Sequence, residues 1–401
     1  MAAFPKTYDF PQRQKRLAFP VQEYTNRING LRQIMHNHDL GVVVLTSPQN
    51  IAYYVGLQYR PFGRAYALVV TAQDCVTVCP SIEAGRPSRR CHGDTLIFTD
   101  WERSAFYRAV RSVAGIGRIV GYEADQMSVV QAQALRHHLH PAGLLDVSGD
   151  TVRQRMVLSD AERAVIRDGV ATSEKAINAM RDVVKTGARE IDVAMAGTDA
   201  LAAEMTGRFP QAEYLDSWVQ CQSGMNTDAA CQPPTTRTLE AGDVLNLTAQ
   251  PLIHGYGACV TRTVFLGEPD QGTVKIWEAQ SDALTYAKSL IAPDASCAEI
   301  ADKIATFYEE RDMLQYCVAG FGQALGVMPH LYSGEALDLR PDNDAVLAPG
   351  MGIALTPMLS VPIDQPGGGG YRDQDVAFVT DDGCDCVSTL PVGPAKNVVS
   401  I

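Results

Sequence analysis

The chain has 401 residues, which is enough for two domains with a sizeable core. Its formal net charge of -12 argues against nucleic acid or an anionic membrane as a partner. No apolar run reaches the length of a membrane span, and the first residues lack a signal-peptide pattern, so we expect a cytoplasmic protein. The ten cysteines show no disulfide framework, and we expect them to be reduced.

The first part of the chain alternates helical and strand patterns. A helical periodicity from Val21 to about Asp39 precedes a buried-strand run from Gly41 to Thr46. Further strands are predicted at 65–71, 76–79, 95–99, 119–120 and 144–147, and helices at 103–114 and 127–140. This alternation predicts an α/β domain over residues 1–155.

The second part, residues 156–401, begins with a capping box at Ser159 and Glu162, which predicts the start of a helix. A second helix is predicted after Glu190. The stretch 239–248 resembles the stretch 347–356, and helix starts near Glu190 and Glu299 are separated by nearly the same number of residues. Such an internal repeat predicts two related halves that meet at one pocket.

A loop rich in Gly, Asn, Asp and Pro separates two predicted strands between Trp218 and Thr248. A loop of this composition between strands is a turn-built segment that holds side chains over a pocket. Cys231 lies in its middle, and we expect the loop to face the functional site.

A family resemblance is carried by the stretches 50–54, 62–70, 98–101, 222–228, 234–237 and 367–372. These stretches resemble the creatinases, within the creatinase/methionine-aminopeptidase/aminopeptidase P superfamily. The resemblance implies an α/β N-terminal domain, a pseudo-symmetric α+β "pita-bread" C-terminal domain, and a homodimer in which the N-terminal domain of one subunit reaches the pocket of the other.

The resemblance also implies where a creatinase site would lie. Creatinases hydrolyse creatine to sarcosine and urea without a metal. Cys231 stands at the position of their acid/base histidine. Thr261 and Thr356 stand where creatinases have two guanidinium-binding glutamates, and Gln323 and Gln374 where they have two further histidines. These are the candidate catalytic residues. The candidate substrate-binding residues are Phe62, Arg64, Tyr256, Cys259 and His330.

The metallopeptidases of the superfamily bind two metal ions through two aspartates, one histidine and two glutamates. The corresponding positions hold Thr248, Cys259, Gln323, Thr356 and Gln374. A dinuclear site needs several anionic oxygens, and none of these residues is a carboxylate or an imidazole. We therefore expect no metal, no other cofactor and no peptidase activity.

The substitutions all replace charged or titratable groups by neutral polar ones or a thiol. They favour a metal-independent enzyme redirected to another small molecule by hydrolysis, elimination or cyclisation, with Cys231 as nucleophile or acid/base. The alternative is an inactive relative that binds a small molecule or serves as a partner subunit; a working creatinase is the third interpretation.

Arg262 and Arg372 are predicted to make structural ion pairs, and Gly367–Gly370 is predicted to allow close approach of a pocket loop.

Overall fold

The computed structural model describes residues 7, 10, 14–60, 62–329 and 337–401. The chain forms two compact units, Met1–Arg155 and Met156–Ile401. Of the helices in the described ranges, none combines the length and the hydrophobicity that a membrane crossing requires.

The N-terminal unit is built on a six-stranded mixed sheet in the order β4-β3-β2-β1-β5-β6. The pairs β1–β2 and β2–β3 are antiparallel, and the other three pairs are parallel. Its strands are β1 (Val42–Leu45), β2 (Ala67–Val70), β3 (Cys75–Pro80), β4 (Asp94–Phe98), β5 (Ile119–Tyr122) and β6 (Gly143–Asp146).

Of the six helices in the described residues of this unit, three were predicted from the sequence, at 21–39, 103–114 and 127–140, and three were not. The unpredicted helices α2, α3 and α6 are short. In α2 all residues from Gln49 to Val55 are buried, so the helix has no solvent-exposed polar face to produce an amphipathic pattern. The helices are α1 (Val21–Asn37), α2 (Pro48–Val55), α3 (Pro87–Arg90), α4 (Ala105–Ala114), α5 (Val129–Leu139) and α6 (Ser148–Met156).

The C-terminal unit begins with two long helices. Ser159 accepts the backbone N–H of Glu162, whose side chain accepts the backbone N–H of Ser159, so the predicted capping box is confirmed. The helices of this unit are α7 (Asp160–Val183), α8 (Glu190–Arg208), α9 (Gln271–Leu290), α10 (Cys297–Glu309) and α11 (Pro394–Asn397).

Two four-stranded sheets form the centre of this unit. The first has the order β18-β11-β8-β7, with β7 (Trp218–Ser223), β8 (Val244–Gln250), β11 (Val260–Leu266) and β18 (Val398–Val399). The second has the order β12-β13-β16-β17, with β12 (Gly322–Ala324), β13 (Gly352–Leu355), β16 (Asp375–Val379) and β17 (Cys384–Cys386). Two small hairpins are formed by β9 (Leu252–Ile253) with β10 (Tyr256–Gly257), and β14 (Met358–Val361) with β15 (Gly369–Arg372).

The sequence repeat maps onto matching places in the two sheets. Strand β8 pairs with β11, placing Thr248 opposite Thr261. In the second sheet, the pairing of β13 with β16 ends with Leu355 opposite Asp375, and Thr356 is the next residue of the chain. Thr261 forms an antiparallel bridge with Gln374, so the two sheets meet there. We call this junction the seam.

Candidate functional site

A cavity of about 350 Å³ lies at the seam. All five candidate catalytic residues line it, together with Cys259 and the threonine at position 248. Residues from both sheets and from the loop that follows β7 therefore contribute to one site. The lining residues are Trp218, Ala230, Cys231, Thr248, Gln250, Cys259, Thr261, Ala319, Gly320, Gly322, Gln323, Asp338, Arg340, Thr356, Met358, Arg372 and Gln374.

The floor of the cavity is held by hydrogen bonds across the seam. The hydroxyls of Thr248 and Thr261 lie 3.0 Å apart and share a hydrogen bond. The backbone N–H of Gln374 donates to the carbonyl of Thr261 at 3.0 Å, and the reverse bond measures 3.4 Å. These groups are neutral, so the floor offers hydroxyl and amide hydrogen bonds and no formal charge.

A buried ion pair supports this floor from behind. Arg262 donates to the carbonyls of Thr261 at 2.8 Å and Gln374 at 2.9 Å, and it pairs with Asp375 at 2.6 Å. The side chains of Arg262 and Asp375 are each 1% exposed. The predicted structural role of Arg262 is confirmed, and its guanidinium fixes the backbone of two cavity residues.

The loop that carries Cys231 is anchored by one buried carboxylate, that of Glu190 at the start of α8. Its two oxygens accept hydrogen bonds from the backbone N–H and hydroxyl of Ser223, the side-chain amide of Asn226, and the backbone N–H and hydroxyl of Thr235. Burial alone would raise the pKa of Glu190, but these donors together outweigh it and lower the pKa. Glu190 is therefore ionised, and its carboxylate holds both ends of the loop.

Replacing Glu190 with glutamine is expected to lower the free energy of unfolding by about 2–3 kcal/mol near neutral pH, because the NH2 group that replaces one carboxylate oxygen cannot accept the hydrogen bonds of the donors that face it. A carboxyl whose pKa is depressed on folding contributes stability that is lost as the pH falls through its folded-state value. The difference between the native chain and E190Q should therefore shrink below about pH 4.5. Urea unfolding across pH measures it, and a constant difference would contradict the assigned role.

The two cysteines at the cavity differ in environment. Cys231 is exposed, whereas Cys259 is partly buried. Burial is the largest influence on Cys259 and raises its pKa to about 12, although Arg372 and the hydrogen bond of Thr261 act in the opposite direction. The Cys259 thiol is therefore neutral near neutral pH and is a poor nucleophile.

Three candidate substrate-binding residues do not line this cavity. Tyr256 is 2% exposed, and its hydroxyl donates to the carboxylate of Glu162 at 2.5 Å. Phe62 and Arg64 belong to the N-terminal unit, where Phe62 is 72% exposed and Arg64 pairs with Asp100 at 2.6 Å. His330, the remaining candidate, lies outside the described residues.

One cavity residue was assigned the wrong role from the sequence. Arg372 was predicted to make a structural ion pair, but within the described residues its guanidinium has no acidic partner; Nη2 donates to Gln222 Oε1 at 2.5 Å and Nη1 to the carbonyl of Ala230. The next residue, Asp373, accepts the backbone N–H of Thr263 at 2.9 Å. Burial raises the pKa of Asp373 to about 6.

The lining residues do not fit a dinuclear metal centre. At two of the positions assigned to metal ligands, the hydroxyl of Thr248 shares a hydrogen bond with that of Thr261, and the thiol of Cys259 is held neutral by burial. In the described ranges, no three His, Cys, Asp or Glu side chains are grouped so as to hold a metal ion. A site for two divalent cations requires several anionic oxygens, which these residues do not supply.

Comparisons with known proteins agree with this architecture. The model of the creatinase/prolidase N-terminal domain matches residues 27–157, and that of metallopeptidase family M24 matches residues 164–381. A creatinase from Bacillus sp. (strain B-0618) is 36% identical over 95% of this chain and 94% of its own length. A probable dipeptidase PepE from Mycobacterium bovis is 25% identical over 93% of this chain and 96% of its own.

Solved structures show the same fold. The dipeptidase PepE from Mycobacterium ulcerans superposes with a TM-score of 0.80 at 22% identity, covering 96% of this chain and all (100%) of its own. The prolidase from Pyrococcus horikoshii OT3 gives a TM-score of 0.78 at 18% identity, covering 92% of this chain and 99% of its own. The predicted fold class, an α/β N-terminal domain plus a pita-bread domain, is thereby confirmed. The chain belongs to metallopeptidase family M24, with a creatinase/prolidase N-terminal domain, and is similar to creatinase over almost its whole length.

Proposed function

We propose that this chain is a cytoplasmic, metal-independent, creatinase-like enzyme that acts on a small molecule other than creatine. The observation that carries the proposal is the cavity at the seam, whose volume of about 350 Å³ lies in the range of ligand pockets. A pocket that had lost its function would be expected to be filled by side chains, whereas this one keeps a ligand-sized space lined by hydrogen-bonding groups.

The lining groups argue against creatine. A cationic guanidinium requires buried carboxylates, and losing two such partners costs several kcal/mol of recognition. Thr261 and Thr356 provide hydroxyls at those positions. The lining carboxylate of Asp338 already pairs with Arg340 at 3.9 Å. The floor of the cavity therefore suits a neutral polar part of a substrate.

Cys231 supplies the reactive group in this proposal. Its thiol is exposed at the cavity and occupies the position that the resemblance assigns to the acid/base histidine. It acts on the bound molecule as a nucleophile or by proton transfer, in a hydrolysis, elimination or cyclisation. The polar groups of the floor orient the substrate, and positioning of this kind contributes substantially to rate.

Replacing Cys231 with serine is expected to lower turnover by about 100-fold or more, because serine is a much weaker nucleophile and proton donor at neutral pH. A mixture of small amides, ureas and cyclisable acids is incubated with the protein, and consumption is followed by mass spectrometry. The matched control is Cys386→Ser, which removes an exposed thiol outside the cavity and should leave turnover unchanged. A metal chelator should also leave turnover unchanged.

Three results would redirect the proposal. Equal turnover by the native chain and C231S would remove Cys231 from the chemistry. Release of sarcosine and urea from creatine would restore the creatinase interpretation. Saturable binding of a small molecule without any turnover would favour a binding protein or a partner subunit.

The proposal includes a homodimer in which Phe62 and Arg64 of one copy contribute to the cavity of the other, as the resemblance to creatinases implies. The high exposure of Phe62 is consistent with a contact outside its own chain. Sedimentation measures the assembly, and mixing R64Q with C231S tests the sharing of sites. Mixed dimers contain one site with both native contributions, so recovery of activity on mixing supports the arrangement, and its absence contradicts it.

A further inference from the structure

Arg372 ends β15 and lines the cavity, although its side chain is almost completely buried. The residue is 5% exposed. Its Nη1 and Nη2 donate to the carbonyl of Ala230 and to Gln222 Oε1, and its Nε has no hydrogen-bond partner in the described part of the chain. The guanidinium therefore retains an N–H group that is able to donate a further hydrogen bond.

Among the described residues, no carboxylate pairs with Arg372. Both groups that accept from its guanidinium are neutral. Arg262 is buried to a similar extent, and it pairs with Asp375 at 2.6 Å. Removing a charge from water without a counter-ion costs several kcal/mol, which makes an unpaired guanidinium at a cavity unusual.

Of the described groups that line the cavity, Asp338 and Cys259 do not provide the missing anion. Arg340 pairs with Asp342 at 3.4 Å as well as with Asp338 at 3.9 Å. The thiol of Cys259 has a pKa of about 12 because of burial, so it is uncharged near neutral pH. Burial also lowers the pKa of Arg372, which remains a cation in this range because an arginine begins far above it.

We propose that Arg372 binds an anionic group, a carboxylate or a comparable oxyanion, of the molecule that occupies the cavity. The inference rests on the proposed function, because it names the class of substrate taken by the same site. The anion would supply the counter-charge and accept hydrogen bonding from the guanidinium, while the neutral floor at the seam receives the remainder of the molecule. A charge-assisted bond to a buried guanidinium is among the stronger single interactions a ligand can make.

The position of Cys231 allows a direct test that needs no substrate. Ala230, whose carbonyl accepts from Arg372, immediately precedes Cys231. Iodoacetate and iodoacetamide alkylate a thiol by the same displacement of iodide, but only iodoacetate carries a carboxylate. If Arg372 binds anions, the ratio of the iodoacetate rate to the iodoacetamide rate at Cys231 should be about tenfold higher in the folded protein than in the urea-unfolded chain. The modified peptide is quantified by mass spectrometry.

Variants assign the effect to Arg372. Arg372→Gln should reduce the ratio to the value of the unfolded chain, whereas Arg340→Gln, which removes a cation paired with carboxylates at the same cavity, should keep it. In the native protein, acetate should slow the iodoacetate reaction in a saturable manner and acetamide should not. This competition also keeps the proposal testable if R372Q fails to fold.

The outcomes separate this inference from the proposed function. A ratio equal to that of the unfolded chain, or equal inhibition by acetate and acetamide, would overturn the anion site while leaving the test of Cys231 in turnover intact. A preference that R340Q abolishes and R372Q retains would also overturn it. A preference lost only in R372Q would support the anion site even if C231S showed Cys231 to have no part in turnover.

Discussion

Replacing Asp375 with asparagine is expected to lower the free energy of unfolding by about 3–5 kcal/mol, because it leaves a buried guanidinium without its counter-ion. Asp375 pairs with Arg262 at 2.6 Å, and both side chains are 1% exposed. The second carboxylate oxygen pairs with Lys288. The variant therefore removes the one anion that Arg262 and Lys288 share. Urea unfolding followed by circular dichroism measures the decrease in the free energy of unfolding.

The matched control is Asp385→Asn, which removes a carboxylate of the same sheet from an exposed pair with Arg167. Exposed ion pairs contribute about 0–1 kcal/mol, so this variant should unfold close to the native chain. Similar losses in the two variants would show that burial of the Arg262 pair does not decide its energy. Because Arg262 also bonds the carbonyls of Thr261 and Gln374, D375N should loosen the cavity floor as well.

Replacing Gly370 with alanine is expected to lower the free energy of unfolding by roughly 3 kcal/mol or more, because two backbone segments lie too close to admit a methyl group. An added Cβ would lie 1.9 Å from the carbonyl oxygen of Thr227. The N–H of Gly370 donates to the Thr227 hydroxyl at 2.8 Å, and its carbonyl accepts from Asn246 at 3.0 Å. A backbone atom cannot move aside as a flexible side chain can, so β15 or the loop must shift.

Gly207→Ala provides the comparison for this variant. Gly207 lies in α8, and an added Cβ would meet no atom within 4 Å. Alanine has the higher helix propensity, so this change should be neutral or stabilising by up to about 1 kcal/mol. If G370A unfolds at the same urea concentration as the native chain, the close packing of the glycine-rich segment is contradicted. Loss of stability in G370A alone would support it.

Local patterns predicted the elements whose causes lie within a few residues. The capping box at Ser159 requires side chains three positions apart, and the sequence contains them. The repeat likewise predicted that residues 248 and 356 would face one pocket, because equivalent strands in related halves place equivalent residues alike.

The individual roles at the site depended on contacts between distant residues. Arg262 and Arg372 are both buried arginines in strands, but the fold brings a carboxylate to the first and, within the part of the chain that the structure describes, none to the second. Tyr256 was a candidate substrate-binding residue, yet its side chain bonds Glu162 of α7 and does not line the cavity. Glu190 looked like an ordinary first-turn residue of α8, and its bonds to the loop join residues up to 45 positions apart. Composition and periodicity contain no information on such partners.

The seam has a consequence for how the protein is made. Thr261 and Gln374 bond across it, so the floor of the cavity includes a pairing between residues 113 positions apart, the separation also spanned by Arg262 and Asp375. Contacts of long sequence separation form after local ones, because closing the intervening loop costs entropy before the contact compensates for it. A chain emerging from the ribosome can fold its N-terminal unit early, but it cannot bind a ligand until residues well beyond the first sheet have been synthesised. The cavity is thus a late product of translation and folding.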